Sequence, residues 1–353
     1  MKSTLGVTSG DPAGVGPEII LQVLNNKRLQ SRSNLVVFGD WQWLNTVSRR
    51  VFRRDIASHV LRLFPGEARR VTERVRPAAA VVDLANIPAR GVSLGRASLL
   101  GGRASGDYIE AAVRAAMEGW VDAVVTAPIN KISFHGTRWG RSARGHTEMI
   151  AALTHSKIYG LMMVHGTMRA IHVTSHIPLR DVPRAITRTR VVETIRLAAE
   201  AARSLGIVRP RIAVCGLNPH AGDGGLLGHE ERRVIAPAIA VCRGAGLRVE
   251  GPLSADVVWP RVKAGQYDIG VAMYHDQGQI PVKLDGFLTD RKGHLETHGV
   301  NVTVGLPIVR TSVAHGTAYD IAGQGLASAS SLIEALDLAC QMARRRLKKE
   351  SRD

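Results

Sequence analysis

Short apolar runs alternate with longer amphipathic stretches along the whole chain. The runs are rich in Val, Ile, Leu and Ala, and they cover residues 5–8, 35–40, 79–84, 122–128, 159–164, 169–174, 211–216, 269–274 and 299–305. Runs of this kind are typical of strands that helices cover on both faces. Their alternation with helical stretches predicts βαβ units and a mostly parallel sheet.

Between the runs, apolar residues recur three and four positions apart, which is the spacing along one face of an α-helix. The clearest helical stretches are 106–119, 190–205, 230–245 and 330–349. The polar stretch LTDRKGHLETHG at 288–299 lies between two apolar runs and predicts an insertion. A chain of 353 residues is longer than one that folds around a single small core, so we expect an α/β protein with two lobes.

Composition narrows the class of protein. A hydrophobic share of 45% with only 4% aromatic residues fits an ordinary α/β enzyme and argues against disorder. Cys215, Cys242 and Cys340 are scattered and form no CxxC, so neither a disulfide framework nor a thiolate metal site is supported. No apolar signal region opens the sequence, and no run approaches the roughly 18 apolar residues of a membrane span. We therefore expect a cytoplasmic protein without a membrane partner.

The formal net charge of +17 raises the question of a nucleic-acid partner. Basic residues are spread along the chain, however, with only local runs at 49–54, 67–76 and 344–349, and aromatic stacking residues are scarce. Solvated helix faces explain this distribution better, so we expect no nucleic-acid partner. The same charge attracts anionic substrates and cofactors over long range.

Three histidines each follow a short β-like run, in turns rich in Gly, Pro or Ser. They are His176 in HVTSHIPL, His220 in GLNPHAGDGG and His275 in MYHDQG. Neutral imidazole binds zinc and similar divalent ions well, and three protein ligands leave one position open for a substrate. The pattern predicts a catalytic metal site. The alternative is that some of these histidines cap helices or satisfy buried polar groups.

The run GVTSGDPAGVGPEII places three glycines between a strand and a helix near the N-terminus. Pro17 suits the first helical position and Glu18 the first turn. The spacing is not GxGxxG. A Rossmann nucleotide site also requires an acidic residue about 20 positions later, and Asp40 fits that position only approximately. The pattern therefore favours a structural turn over a phosphate cradle.

Polar residues in RGHTE, GPLSAD and MYHDQGQIPVK are candidates for substrate binding or catalysis. In RGHTE, Thr147 either caps the following helix or joins His146 in donating hydrogen bonds to an anion at the helix N-terminus. Asp256, Asp276 and Lys283 suit charge balance, ligand orientation or proton transfer near a metal, and surface salt bridges are the alternative.

The loop HGTAYDIAG is hard to explain as packing. Its small residues permit close backbone approach, and His315, Thr317 and Asp320 suit hydrogen bonds to an adenosine.

Taken together, these motifs resemble the family of 4-hydroxythreonine-4-phosphate dehydrogenases of vitamin B6 biosynthesis and its paralogues. The resemblance covers nearly the whole chain and rests on SGDPAGVGPE, TAPINK, GHTE, SHIPL, GLNPHAG, GPLSAD, MYHDQG, GVNVTVGLP, RTSV and HGTAYDIAG. It implies the two-lobed, non-Rossmann fold of isopropylmalate and isocitrate dehydrogenases. With it we expect a discontinuous first lobe, 1–135 with 306–353, and a second lobe, 136–305.

The resemblance also implies roles for residues of this chain. His176, His220 and His275 bind a divalent metal (Zn, or Mg, Mn or Co), one of them from the partner subunit of a homodimer with a shared active site. The substrate contacts are His146, Thr147, Lys283, Asn301 and Arg310. The NAD contacts are His315, Gly316, Thr317, Ala318, Asp320 and Ile321. Asp256 and Asp276 lie next to the metal, and Lys283 is the candidate for proton transfer.

The implied reaction is NAD-linked oxidation of a secondary alcohol in a 4-phosphorylated four-carbon hydroxy acid, followed by β-decarboxylation. NAD is preferred over NADP, because no clear basic partner for a 2′-phosphate lies near the loop. Ala314 stands where the family commonly has Asp, and the insertion at 288–299 lies close to the proposed phosphate contacts. Threonate or erythronate 4-phosphate and a cis-dihydrodiol dicarboxylate are therefore alternative substrates, and a zinc hydrolase is the competing enzyme class.

Overall fold

Strands and helices alternate along the chain, and each of the nine apolar runs contains a strand. The computed structural model describes residues 2–75, 77–141, 143, 145–289 and 295–350. The strands are β1 Ser3–Thr8, β2 Ser33–Gly39, β3 Leu61–Leu63, β4 Ala79–Asp83, β5 Ala123–Thr126, β6 Gly160–His165, β7 Met168–His172, β8 Arg211–Cys215, β9 Arg248–Leu253, β10 Ile269–Ala272, β11 Phe287–Thr289, β12 Leu295–Thr297, β13 Val300–Val304 and β14 Val309–Val313. β3, β9, β11, β12 and β14 are strands that the predicted runs did not include.

The helices account for all four predicted helical stretches. They are α1 Gly16–Leu24, α2 Lys27–Arg32, α3 Trp41–Val47, α4 Pro65–Val75, α5 Leu99–Met117, α6 Lys131–His135, α7 His146–Leu153, α8 Val182–Ala185, α9 Arg188–Ser204, α10 Ala236–Gly244, α11 Ala255–Lys263, α12 His275–Gly286 and α13 Ser330–Glu350. Among the described residues, no helix has the length and apolar character that crossing a lipid bilayer requires.

The chain divides into two compact units. The first comprises Met1–Lys157 and Leu306–Leu347, and the second comprises Ile158–Gly305 with the end of the chain from Lys348. The sequence predicts that the first lobe ends at residue 135, whereas the first unit of the structure continues to Lys157. The predicted lobe and the observed unit both resume at residue 306. α6 and α7 thus belong to the first unit.

The first unit is built on a sheet with the order β3-β4-β2-β1-β5-β14. The paired strands run parallel, as the register of Val7 with Val37 and of Arg310 with Val124 illustrates. The strands are buried along most of their length, and Phe38, Tyr108 and Phe134 fill the core between sheet and helices. Burial on both faces explains why these strands appear in the sequence as nearly continuous apolar runs.

The second unit contains a mixed sheet with the order β13-β6-β7-β10-β8-β9. β7, β10, β8 and β9 run parallel, but β6 is antiparallel to both of its neighbours. The connection between β6 and β7 explains their antiparallel pairing, because only Gly166 and Thr167 separate them, and so short a link joins antiparallel strands. The α/β class with mostly parallel pairing is confirmed.

The predicted insertion at 288–299 is partly regular structure. β11 and β12 pair antiparallel, with Phe287 opposite Thr297. Residues 290–294 lie outside the described residues. The hypothesis that this stretch is an insertion stays a prediction. Phe287, Leu288 and Leu295 provide a short β-like pattern that the polar composition concealed.

Candidate functional site

The three candidate metal ligands lie at one edge of the second sheet. β7, β10 and β8 are neighbours and run parallel, so their carboxyl ends meet at the same edge. His176 follows β7, His275 follows β10 as the first residue of α12, and His220 follows β8. Side chains at the carboxyl ends of adjacent parallel strands form the usual position of a binding site in α/β folds.

Two of these histidines lie close together. The ring centroids of His176 and His275 are 5.6 Å apart. The His275 Nδ1 atom is hydrogen-bonded to the Asp276 carboxylate at 2.7 Å, an arrangement that orients an imidazole and leaves its Nε2 atom for a ligand. Among the described residues, no three His, Cys, Asp or Glu side chains converge closely enough to hold a metal ion.

His220 lies in an unusual turn. His220, Ala221 and Asp223 all have positive φ, at 54°, 54° and 42°, a region that costs non-glycine residues free energy. The buried Glu231 carboxylate holds the start of this turn by accepting the N–H groups of Leu217 and Asn218 at 2.8 and 2.7 Å. The surrounding structure thus imposes the conformation that presents His220.

Asp256 belongs to the same neighbourhood. It lies in the first turn of α11, and the Ser254 hydroxyl beside it lowers the pKa of its carboxyl, with a smaller contribution from the charge of His220. This places an acidic group near one candidate ligand, as Asp276 is near another.

His172 is a neighbour of the histidine cluster that the sequence reasoning missed. Its ring stacks on His275 with centroids 6.0 Å apart, and its Nδ1 atom is 3.0 Å from the Leu161 carbonyl. Burial lowers the pKa of His172 to about 4, so its ring is neutral at physiological pH. Its position inside an apolar strand gave no sequence signal, because a lone buried histidine is usually a packing residue.

A second cluster of predicted residues lies within the first unit. His146 is the first residue of α7 and Arg310 lies on β14, the strand beside β5. The Arg310 guanidinium is buried and donates to the Thr126 hydroxyl at 2.7 Å. Thr147 lies inside the first turn and Gly145 is the N-cap residue, so the hypothesis that Thr147 caps α7 is wrong. α7 begins at His146, one residue before Thr147, so the other alternative, a contact of Thr147 with an anion, stays a prediction.

Burial controls the charges of this cluster. It lowers the pKa of His146 well below the ordinary histidine value, and the positive charges of Arg310 and Lys131 act in the same direction. Burial also lowers the pKa of Arg310 to about 10, against the opposing charge of Glu148. Arg310 therefore remains cationic and His146 neutral at pH 7. Within the described part of the chain, the buried Nε2 atom of His146 makes no hydrogen bond.

The remaining predicted substrate residues belong to the second unit. Lys283 lies on α12, two turns after His275, and Asn301 lies partly buried on β13. Their roles stay predictions.

The predicted cofactor loop follows β14 directly. Gly316 and Asp320 are exposed, Thr317 is buried, and Ala318 has a φ of 42°. His315 Nδ1 is 2.9 Å from the Gly316 carbonyl, and its buried Nε2 atom makes no hydrogen bond to the described residues. Exposed backbone beside a buried donor or acceptor without a partner is the arrangement expected where a polar ligand binds. The roles of His315, Gly316, Thr317, Ala318, Asp320 and Ile321 stay predictions.

The N-terminal GDPAGVGPE run contacts this loop, and the sequence reasoning missed that contact. Asp11 accepts a hydrogen bond from the Tyr319 hydroxyl at 2.8 Å, and Glu18 accepts the N–H of Gly325 at 2.9 Å. The signal that was available is a pair of carboxylates among glycines, which a simple turn does not require.

Comparison with known proteins identifies the family. The family profile described as "Pyridoxal phosphate biosynthetic protein PdxA" matches residues 31–339. The chain belongs to this family. The resemblance expected from its motifs is confirmed.

Members of the PdxA family resemble the chain over nearly its whole length. A D-threonate 4-phosphate dehydrogenase from Cupriavidus necator is 42% identical, covering 97% of this chain and 98% of the relative. A 4-hydroxythreonine-4-phosphate dehydrogenase from Beijerinckia indica is 41% identical, covering 96% and 94%. The crystal structure of a 4-hydroxythreonine-4-phosphate dehydrogenase from Klebsiella pneumoniae is 36% identical, with a TM-score of 0.81 and coverage of 97% and 100%. The chain is therefore a dehydrogenase that oxidises a CH–OH group.

Proposed function

We propose that this protein catalyses NAD-linked oxidation of the secondary alcohol in a 4-phosphorylated four-carbon hydroxy acid, followed by β-decarboxylation. The observation that carries the proposal is the pair formed by the buried Arg310 guanidinium on β14 and the half-buried His146 at the start of α7. A charged guanidinium, a neutral imidazole and the N–H groups of the first turn of a helix together suit a phosphate group. Thr147 adds a hydroxyl in the same turn.

Arg310 supplies most of the charge for binding phosphate. Its anchor on Thr126 fixes the guanidinium plane, so less conformational entropy is lost when an anion binds. His146 donates or accepts through Nε2 without adding charge. We propose Lys283 and Asn301 as further substrate contacts.

The donor set at the edge of the second sheet fits a divalent cation. His176, His220 and His275 would hold it, with Asp256 and Asp276 balancing charge. Three imidazoles favour zinc or cobalt, and the neighbouring carboxylates also permit magnesium or manganese. When bound, such a cation supplies Lewis-acid polarisation of the substrate oxygen. We propose Lys283, on the helix that begins at His275, as the group that transfers a proton.

The loop 315–321 is proposed to bind the dinucleotide, which supplies the hydride acceptor. Thr317 and Asp320 offer a hydroxyl and a carboxylate for a ribose, and the exposed backbone at Gly316 permits close approach. Asp320 would repel a 2′-phosphate, which favours NAD over NADP.

A homodimer accounts for the partial metal site. One chain brings His176 and His275 together, and a ligand from a second copy would complete the set. Exposed apolar side chains lie a few residues beyond each candidate ligand: Leu179, Leu226, Leu227, Ile280 and Leu284. Apolar surface around a site is typical of an interface.

The direct test is reduction of NAD in the presence of added divalent metal and a panel of substrates. We expect turnover with D-threonate 4-phosphate or 4-hydroxythreonine 4-phosphate, and none with the unphosphorylated acids. Carbon dioxide release measured in parallel tests the decarboxylation. Oxidation of a cis-dihydrodiol dicarboxylate, with no turnover of either phosphate ester, would replace the proposed substrate. No NAD reduction with any substrate and metal would remove the proposal.

A further inference from the structure

One segment near the N-terminus holds the whole predicted dinucleotide loop. We call residues 9–18 the N-terminal turn and residues 315–325 the dinucleotide loop. The loop backbone at Thr317 accepts the Val15 N–H at 2.9 Å, and the Tyr319 hydroxyl donates to Asp11 Oδ2 at 2.8 Å. Further along the loop, the Glu18 carboxylate accepts the N–H groups of Gly323 and Gly325. The beginning and the end of the dinucleotide loop are thus both hydrogen-bonded to the N-terminal turn.

The two carboxylates are buried at their contacts. Asp11 is 0% exposed and Glu18 is 1% exposed. Burial of a carboxylate is unfavourable unless hydrogen bonds compensate it, and here each carboxylate accepts bonds from backbone or phenol donors. Asp11 Oδ1 also accepts the Ala13 N–H at 2.9 Å, which fixes the turn itself. Burial raises the pKa of both carboxyls, whereas their backbone donors act in the opposite direction.

Backbone contact between the turn and the loop is close. A Cβ atom at Gly14 would lie 2.8 Å from the Thr317 carbonyl oxygen, a separation that forces the loop backbone to move. Gly10 has a φ of 70°, and a Cβ there would lie 2.5 Å from the Pro128 carbonyl oxygen. Glycine at position 14 therefore allows the turn to approach the loop backbone, whereas Gly10 fits the turn against Pro128, outside the loop.

We propose that Asp11 and Glu18 are positioning residues that hold the dinucleotide loop in its binding conformation. The inference rests on the proposed function, because it takes 315–321 to be the dinucleotide site. Neither carboxylate needs to touch the cofactor. Each one removes conformational freedom from a glycine-rich loop before the ligand arrives, and a loop ordered in advance binds more tightly than one ordered on binding.

The test uses the full chain and titration with NADH, followed by fluorescence, together with steady-state kinetics. Glu18→Gln keeps the side-chain volume but presents an amide to one of the two loop N–H groups. We expect the dissociation constant for NADH and the KM for NAD to rise about fivefold or more. The KM for the phosphorylated substrate should stay near the wild-type value, because the Arg310 cluster is untouched.

Two further variants test the contact between turn and loop without changing either carboxylate. Tyr319→Phe deletes one hydroxyl, and Gly14→Ala leaves both carboxylates in place while displacing Thr317. Both should raise the KM for NAD and spare the KM for the substrate. The matched control is Glu200→Gln, an exposed position on α9 of the second unit, which should change neither constant.

The outcomes separate the inference from the function on which it rests. Unchanged NADH binding in Glu18→Gln and Tyr319→Phe, with normal binding in the wild type, would overturn the inference alone. Equal loss of affinity for NADH and substrate would indicate general structural damage and would also overturn it. A wild-type protein that binds no NADH would refute the assignment of the dinucleotide loop itself.

Discussion

His146 shows how burial sets the chemistry of a single residue. A histidine in water is partly charged near neutral pH, but the Nε2 atom of this ring is buried and the positive charge of Arg310 acts on the ring. Both effects favour the neutral form. Arg310 keeps its charge under the same burial because its ordinary pKa is so much higher. The cluster thus combines one cationic group with one neutral group.

The low pKa of His146 predicts acid sensitivity of the folded state. The unfolded chain takes up a proton on this ring near pH 6.5, whereas the folded chain does so only at much lower pH. Stability is therefore full above about pH 7 and falls as the pH decreases through 6. His146→Gln should weaken this pH dependence, measured by urea unfolding at several pH values. His59→Gln, an exposed control, should leave the wild-type dependence unchanged.

His275 allows a test of the metal hypothesis at one residue. His275→Ala removes a proposed ligand together with its oriented hydrogen bond to Asp276. We expect bound metal and turnover to fall together, by about tenfold or more, measured by elemental analysis of dialysed protein and by NAD reduction. His59→Ala should retain both. A His275→Ala protein with normal metal content and normal turnover would contradict the assignment.

At the scale of elements, the turn after β8 is held by a side chain from the next element. Its run of left-handed residues is unfavourable locally, and Glu231 compensates by accepting two backbone N–H groups and the Asn218 side chain. This arrangement explains why a strained turn persists at the edge of the sheet. It also makes His220 dependent on a residue eleven positions later in the chain.

Glu231→Gln should therefore loosen the turn. A Gln presents an N–H₂ group where an acceptor is needed, so we expect the free energy of unfolding to fall by about 1–3 kcal/mol. The measurement is the midpoint of urea unfolding, with metal retention as a second readout. Glu200→Gln should stay within about 0.5 kcal/mol of the wild type. Equal stability of the two variants would show that the turn does not depend on this carboxylate.

At the scale of the whole molecule, exposed apolar side chains near the candidate metal ligands support the proposed homodimer. Ile280 and Leu284 are 55% and 76% exposed, and they lie four residues apart on one face of α12, the helix that begins at His275. Their exposure in one chain is unfavourable, and a second copy covering them would bury that surface beside the proposed shared site.

Leu284→Arg should weaken this association. A buried guanidinium without a partner opposes dimer formation, so sedimentation should show a shift toward the monomer and turnover should fall at low protein concentration. Val208→Arg, at a position that is 80% exposed in the same unit, is the control and should leave the assembly state unchanged. A wild-type protein that sediments as a monomer would contradict the homodimer directly.

The amino-acid sequence by itself determined the alternation of strands and helices, the family and the candidate residues. Strands buried on both faces leave continuous apolar runs, and motifs such as HGTAYDIAG are local strings. The sequence left open whether Thr147 caps α7, and it did not indicate the pairing of β11 with β12. A helix start and a short hairpin depend on backbone geometry that composition does not record.

Only the tertiary structure decided which distant residues meet. It placed β7, β10 and β8 side by side, and so brought three separate histidine motifs to one edge. It also joined Asp11 to Tyr319, 308 positions later in the chain. Contacts across such separations follow from the order in which strands pair, and no local pattern specifies that order. The sequence therefore indicates only a turn around Asp11 and Glu18, and the structure shows that both carboxylates contact the dinucleotide loop.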